Sequence, residues 1–136
     1  MSEKDPRPMP PASGLSKPYW DAAAQGRLLV QACGVCGAMR HYPRLLCDQC
    51  YSREVEWKEL SRRGNVHSWT VAHHAFHPSF RGELPYTLVT VDLEEGTRAL
   101  GRWRGETPYI GQPVRGEFEA CDAAFDLVFS PNAGEA

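Results

Sequence analysis

Four of the five cysteines form two C-x2-C pairs, Cys33 with Cys36 and Cys47 with Cys50. Ten residues separate the inner cysteines of the two pairs, which is enough chain for both pairs to turn toward one cation. Zn²⁺ prefers four soft ligands in a tetrahedron, and each tight C-x2-C turn supplies two of them. The spacing therefore predicts a closed zinc site with a structural role, because no position is left open for substrate or water.

Three other roles for these cysteines are weighed against zinc. A disulfide pair needs an oxidising compartment, and no signal peptide is visible in the sequence. A thioredoxin-type redox motif needs one C-x2-C beside a βαβ pattern, which the sequence does not show. The third role is that of small buried apolar residues. We favour a metal, with zinc ahead of iron, and the reduced thiolates lead us to expect a cytoplasmic protein.

The length and charge of the chain limit its function. A chain of 136 residues makes one domain of ordinary size or two very small ones. Its net charge of −2 argues against a general nucleic-acid binder, which usually carries a basic excess. Its longest apolar runs are too short to span a bilayer.

The first part of the chain predicts a tail and a short helix. Residues 1–15 contain four prolines among polar residues and indicate a disordered tail. Ser16 or Lys17 is a helix cap before Pro18, and the helix predicted over 19–25 stops at Gly26. Its apolar side is too short to be stable alone, so we expect it to pack on the ribbon, on a partner protein, or on both. Tyr19 and Trp20 are the candidate partner-binding residues of this helix.

The second part of the chain predicts a zinc ribbon and a β-barrel, so the fold class is mainly β. Ribbon strands are predicted over 28–33, 39–42 and 54–60, which gives an N-terminal unit of helix and ribbon over 16–60. Five alternating strands then predict an oligonucleotide/oligosaccharide-binding (OB) barrel over 61–130, with an SH3-like barrel as the alternative and a tail at 131–136. We expect Trp69 and Trp103 in the barrel core. The five strand segments are 65–73, 85–93, 97–103, 114–120 and 125–130.

The order of these motifs resembles the DUF35 family, in which a rubredoxin-like zinc ribbon is joined to an OB-fold. The resemblance covers residues 18–130 and rests on five stretches taken together: PYWDAAAQGRLLVQACGVCG, YPRLLCDQC, WKELSRRGNVHSWTVAHH, LPYTLVTVDLEEGTRALGR and IGQPVRGEFE. The family's metal ligands correspond to Cys33, Cys36, Cys47 and Cys50, and no catalytic residue carries over.

The resemblance also implies a function. Members of this family are similar to accessory subunits of thiolase-like enzymes, of hydratases and of aldolases that act on CoA thioesters. It implies that this chain associates with acyl-CoA and supports a protein partner of one of these kinds, with a second copy of itself as a further contact in the complex. The alternative from the residues is a module that binds single-stranded nucleic acid, since ribbons and OB barrels both do so. That reading ranks lower, because the predicted strands and turns carry Glu94, Glu95, Glu117 and Glu119.

Aromatic and arginine residues of the barrel are the candidate contacts to CoA. Phe76, Phe80 and Arg81 lie in the loop between the first two barrel strands, where they could cover an adenine and pair with a phosphate. Arg102 and Arg104 are alternative phosphate partners. The other interpretation is that these arginines are ordinary surface charges.

Four histidines and the fifth cysteine have no assigned role. His73 and His74 are adjacent on a predicted strand and would point to opposite faces, so a second metal with His67 and His77 is disfavoured. We expect a solvated or interface loop there. Cys121 lies beside a strand end, where a lone cysteine is more often inert than reactive.

Overall fold

The structure is a computed structural model that describes residues 14–121 and 124–132. The predicted tails at 1–15 and 131–136 lie mostly outside these residues. Short 3-10 helices occupy Gly14–Ser16 and Pro78–Glu83. The other described elements are α1 Lys17–Ala23, β1 Leu28–Cys33, β2 Met39–Arg40, β3 Val55–Leu60, β4 Arg63–Ala72, β5 Tyr86–Leu93, β6 Arg98–Trp103, β7 Pro113–Cys121 and β8 Ala124–Pro131.

Helix α1 forms where the sequence predicts it, with both ends two residues earlier. Ser16 precedes the helix and Pro18 lies in its first turn, where the missing N–H of proline costs no hydrogen bond. Gly26 has φ +75°, a conformation that glycine adopts without steric penalty. Its N–H donates to the carbonyl of Ala23 at 3.0 Å, which closes the end of the helix.

The ribbon is a three-stranded antiparallel sheet in the order β2-β1-β3. β1 pairs with β3 along its whole length, from Leu28 opposite Leu60 to Cys33 opposite Val55. The predicted return strand over 39–42 is too long, since β2 ends at Arg40. The chain turns there because the side-chain oxygen of Gln31 accepts a hydrogen bond at 2.8 Å from the backbone N–H of Arg44.

The barrel confirms the OB-fold prediction. Its strands close in the order β4-β5-β6-β8-β7, and β7 returns to β4. All pairs are antiparallel except β6 with β8, where Arg102 lies opposite Val128. A five-stranded Greek-key barrel with this order is an OB-fold, so the SH3-like alternative is set aside.

One hydrophobic core joins the helix, the ribbon and the barrel. Tyr19 of α1 is 8% exposed and belongs to the same buried cluster as the ribbon and barrel side chains. Trp103 packs partly buried against this cluster, as predicted, whereas Trp69 is 38% exposed and the prediction that it lies in the core is wrong. The ribbon and the barrel are therefore expected to unfold together. The remaining core side chains are Leu28, Val30, Leu60, Val66, Val89, Val91, Leu93, Ala99, Val114, Leu127 and Phe129.

Candidate zinc centre and ligand cavity

The four ribbon cysteines converge at the tip of the β1–β2 hairpin and the loop before β3. Their sulfur atoms all lie within 4.8 Å of one another. The Sγ atoms of Cys33 and Cys50 are 3.5 Å apart, and those of Cys36 and Cys47 are 3.6 Å apart. A tetrahedral site with Zn–S bonds of about 2.3 Å has sulfur–sulfur edges of roughly 3.8 Å, so the donor set fits zinc. A disulfide bond of about 2.05 Å does not fit these separations.

Backbone N–H groups of the two knuckles stabilise the thiolate form of the buried cysteines. The N–H groups of Cys36 and Val35 donate to Cys33 Sγ at 3.4 Å and lower the pKa of this thiol to about 6. The N–H groups of Cys50 and Gln49 lower the pKa of Cys47 in the same way. Because metal ions bind thiolates rather than thiols, these bonds favour Cys33 and Cys47 as ligands, whereas the pKa values of Cys36 and Cys50 in the same turns are raised.

The histidines do not assemble into a second metal site. β4 ends at Ala72, so His73 and His74 follow the strand, and the prediction that they lie on it is wrong. His67 pairs with Asp92 at 3.2 Å, and the ring of His77 bonds the Ser79 hydroxyl at 2.8 Å. Among the described residues, the His, Cys, Asp and Glu side chains that lie close enough together to share one metal ion are the four ribbon cysteines.

A cavity of about 770 Å³ lies between α1, the ribbon and the outer face of the barrel. Its floor is formed by Tyr86 and Leu88 of β5 and by Leu100 and Arg102 of β6. These are the second and third barrel strands, the face on which OB-folds bind their ligands. The other lining residues are Leu15, Ser16, Tyr19, Trp20, Tyr42, Pro43, Phe80, Gly101, Phe125, Asp126 and Leu127.

Two of the five CoA-contact candidates line this cavity. Phe80 packs on Tyr86 with ring centroids 5.8 Å apart, and the Arg102 guanidinium lies 4.7 Å from the Tyr86 ring centroid. Arg102 also pairs with Glu83 at 2.8 Å, so its charge is already compensated. The other three lie outside the lining: Phe76 is 82% exposed, Arg81 is exposed, and Arg104 pairs with Glu119.

The two aromatic residues of α1 have different environments. Tyr19 is buried and contacts Phe118 of the barrel at a ring distance of 6.2 Å, so it anchors the helix. Trp20 is half-buried at the cavity and stacks edge-on against Tyr19 at 4.8 Å. Tyr42, which the sequence did not suggest, links the ribbon to β6, since its hydroxyl oxygen accepts the N–H of Leu100 at 3.1 Å.

Sequence reasoning missed Tyr86, Leu88 and Leu100 as cavity residues, although a signal for two of them was present. Tyr86 and Leu88 alternate with Val89 and Val91, which point into the barrel, so both had to lie on the outer face. Apolar residues on an outer face indicate a surface that another group covers. Leu100 carried no comparable signal. Its buried neighbours on β6 are Ala99 and Gly101, which are too small to mark the inner face in the sequence.

His41 is a titratable side chain that packs between aromatic rings without a hydrogen-bond partner among the described residues. Its ring lies 5.4 Å from that of Tyr19 and 4.0 Å from that of Tyr42, and neither nitrogen is bonded. Burial lowers the pKa of His41 to about 4. The charged residues that line the same cavity as His41 are Arg40, Arg44, Asp48, Asp92 and Arg98.

We expect His41→Phe to make the fold less sensitive to acid. Below pH 6.5 the unfolded chain binds a proton at His41 that the native protein does not, so stability falls from pH 6.5 down to about pH 4. Phenylalanine removes this loss, which is at most about 3 kcal/mol, and also removes two unpaired nitrogens. Urea unfolding of zinc-loaded protein at pH 7.5 and 5.5 measures the difference. The exposed His74→Phe is the control, and an equal pH dependence in all three proteins would contradict the prediction.

In the described part of the chain, no helix has the length and apolar character needed to cross a membrane.

The ribbon and the barrel of this chain each match a known protein family. Residues 20–56 match the family described as ChsH2, rubredoxin-like zinc ribbon domain. Residues 57–119 match the family described as ChsH2, C-terminal OB-fold domain. The two matches meet inside β3, between Glu56 and Trp57. Together they include the four cysteines and most of the barrel.

Two known relatives match most of this chain but only about half of their own length. The chain is 36% identical to "Probable enoyl-CoA hydratase alpha subunit" of Thermomonospora curvata over 96% of its own length and 43% of that protein. It is 29% identical to "Benzoylsuccinyl-CoA thiolase subunit BbsA" of Geobacter metallireducens over 73% of its own length and 59% of that subunit. The chain thus spans about half the length of these curated relatives.

A solved structure covers nearly the same length of chain. A chain of the complex titled "Ltp2-ChsH2(DUF35) aldolase" superposes with a TM-score of 0.80 at 35% identity. The match covers 90% of this chain and 98% of that one. The ribbon, the barrel order and these matches agree, and the chain belongs to the DUF35 family of proteins that join a rubredoxin-like zinc ribbon to an OB-fold.

Proposed function

We propose that this chain is an accessory subunit that binds and supports a thiolase-like, aldolase or hydratase protein acting on CoA thioesters. The observation that carries this proposal is the structural match to a chain of an aldolase complex over almost its full length. Relatives named as a hydratase subunit and a thiolase subunit support the same role. The reduced thiols of the ribbon fit a cytoplasmic location for such a complex.

Zinc has a structural role in this proposal. Cys33, Cys36, Cys47 and Cys50 supply four ligands and would leave no position for substrate, so the metal holds the ribbon rather than taking part in a reaction. The ribbon in turn supports α1 and Tyr42, which form one side of the cavity. The metal therefore shapes the surface that a partner or ligand meets.

Trp20 is the residue we propose as the main anchor for the partner. It is half-buried beside Tyr19, and a partly exposed tryptophan at the edge of a cavity is typical of an interface hot spot. We expect Trp20→Ala to weaken the complex about 10- to 30-fold while the fold is kept, because buried Tyr19 still anchors α1.

The test co-expresses the full chain with candidate thiolase-like, aldolase or hydratase proteins, chosen first from any that are encoded in its genomic neighbourhood. Size-exclusion chromatography with light scattering should show one complex, and its mass also reports whether a second copy of this chain is present. Activity on an acyl-CoA thioester should require both proteins. Phe76→Ala, which removes an exposed aromatic ring outside the cavity, is the matched control. Separate elution of the two proteins, or equal affinity of Trp20→Ala and wild type, would contradict the proposal.

We also propose that the cavity receives part of a CoA thioester. Phe80, Tyr86 and Trp20 provide apolar and aromatic surface, and Arg102, which pairs with Glu83, provides guanidinium N–H donors on its floor. Its volume of about 770 Å³ is in the range of small-molecule sites. Phe76, Arg81 and Arg104 lie away from the lining and are weaker candidates for this contact.

Isothermal titration of the complex with CoA tests the ligand. We expect Phe80→Ala to raise the dissociation constant about tenfold, since an aromatic contact of about 1.4 kcal/mol is lost. Phe76→Ala, from the same loop, should leave it unchanged. Equal effects of the two substitutions would show that the cavity is not where CoA binds.

Single-stranded nucleic acid is the weaker alternative. The barrel face that would bind it is partly covered by α1, and several arginines of the barrel are paired with glutamates. The pairs are Arg63 with Glu94, Arg104 with Glu119 and Arg115 with Glu117. With these charges compensated, the strong positive groove of single-strand binders is not formed by these residues.

A further inference from the structure

A second cavity, of about 380 Å³, lies between the ribbon and the barrel on the other side of His41 and Tyr42. Its wall is polar and is formed by residues 39–48 of the ribbon and by β5, β6 and the turn between them. Five charged residues line it: Arg40, Arg44, Asp48, Asp92 and Arg98. Neither the zinc centre nor the first cavity includes any of them.

Arg40 is a buried cation in this wall that has only neutral hydrogen-bond partners. Its side chain is 4% exposed. Its Nε donates to the amide oxygen of Gln31 at 2.8 Å, and its Nη2 donates to the carbonyl of Arg44 at 3.3 Å. Nη1 has no acceptor among the described residues. A guanidinium stays charged in proteins, and a buried charge is costly unless an anion compensates it, so the charge of Arg40 favours an anion bound at this cavity.

Neither carboxylate of the wall forms an ion pair with Arg40 or Arg44. Asp92 accepts from Arg98 at 2.6 Å and pairs with His67 at 3.2 Å. Asp48 is exposed and accepts from the side chain of Gln49 at 3.3 Å. Arg44 is exposed, and the structure gives its guanidinium no ion pair with any described residue. The guanidinium groups of Arg40 and Arg44 therefore have no carboxylate partner among the described residues, although Asp48 and Asp92 line the same cavity.

We propose that this cavity is an oxyanion site, in which Arg44 binds a phosphate or carboxylate group of a small ligand and the buried charge of Arg40 behind it attracts the anion. The planar donor fork of arginine matches both groups in a bidentate fashion. The site goes beyond the proposed function, because it needs neither the partner protein nor a thioester. The zinc-loaded chain by itself is enough to test it.

The test titrates the full, zinc-loaded chain with inorganic phosphate and, separately, with acetate, in about 0.15 M salt so that exposed charges are screened. Isothermal titration measures affinity, and ³¹P line width reports bound phosphate. Arg44→Gln is the variant, because it leaves the buried Arg40 and its hydrogen bonds in place. We expect it to raise the dissociation constant at least about tenfold, the effect of losing one charge-assisted pair.

Arg53→Gln is the matched control, since Arg53 is an exposed ribbon arginine outside the cavity lining. It should leave the affinity within about twofold of wild type, a change well below 1 kcal/mol. Saturable binding of phosphate alone or acetate alone supports the site and identifies which group it takes. Absence of saturation with both anions, or an equal loss in Arg53→Gln, would overturn the proposal. Because the chain is tested by itself, this outcome is independent of whether a partner enzyme binds.

Discussion

Replacing Cys47 with serine is expected to remove zinc and to destabilise the ribbon and the barrel in one cooperative transition. Serine is a poor zinc ligand, and three thiolates cannot complete the tetrahedron at the ribbon tip. Metal binding supplies on the order of 10–16 kcal/mol in small zinc peptides, which is as large as the whole net stability of a typical domain. Because Leu28, Val30 and Leu60 of the ribbon share one core with the barrel strands, loss of the ribbon exposes barrel side chains as well.

The experiment follows the indole N–H signals of the four tryptophans by NMR, together with zinc content by elemental analysis. Trp57 reports on the ribbon, and Trp103, whose N–H bonds to the Glu106 carbonyl, reports on the barrel. Both signals should collapse together in Cys47→Ser. Cys121→Ser is the control, because Cys121 lies outside the cluster and should keep full zinc and both signals. A native Trp103 signal beside a lost Trp57 signal would show two independent units.

Replacing Phe129 with alanine is expected to have the second largest effect. Its side chain is 0% exposed at the centre of the barrel. Two glycines leave room for its ring: a Cβ at Gly101 would come 2.7 Å from Phe129 Cδ2, and a Cβ at Gly116 would come 2.9 Å from its Cε1. The strands are thus built around this ring and cannot close over the space that alanine leaves. We expect a loss of about 3–5 kcal/mol of unfolding free energy.

Denaturant unfolding of zinc-loaded protein measures this loss. Phe76→Ala is the matched control, since Phe76 is 82% exposed and its removal should change stability by less than about 0.5 kcal/mol. Addition of excess zinc should not restore Phe129→Ala, because the defect lies in the barrel core rather than at the metal. A loss below about 1 kcal/mol would mean that the core relaxes around the shorter side chain and that Phe129 is not its centre.

The zinc site and the barrel were predictable because both are encoded by short-range patterns. Two C-x2-C turns fix their own geometry, and Val89 and Val91 alternate with outer-face residues over a single strand. The exposure of Trp69 was not predictable in the same way. Aromatic residues usually belong to small cores, but Trp69 follows a register shift between Val66 and Ser68 and stays 38% exposed although it pairs opposite buried Val89.

What the sequence could not show is how distant segments meet. It predicted a helix-and-ribbon unit over 16–60 and a barrel over 61–130, but it carried no sign that Leu60 and Val66 belong to one shared core. The uncompensated charge of Arg40 is also invisible in sequence, because it depends on the absence of a carboxylate from neighbours far along the chain. Contacts of this kind are set by tertiary packing, on which local residue patterns carry little information.

Native mass spectrometry of the chain purified with its co-expressed partner tests the central claim most directly. A zinc-stabilised scaffold for a CoA-thioester enzyme predicts a complex with one zinc per copy of this chain. It also predicts that the complex dissociates when a chelator removes the metal and that it is weakened by Trp20→Ala. A complex that stays intact without metal, or two proteins that never associate, would contradict the claim.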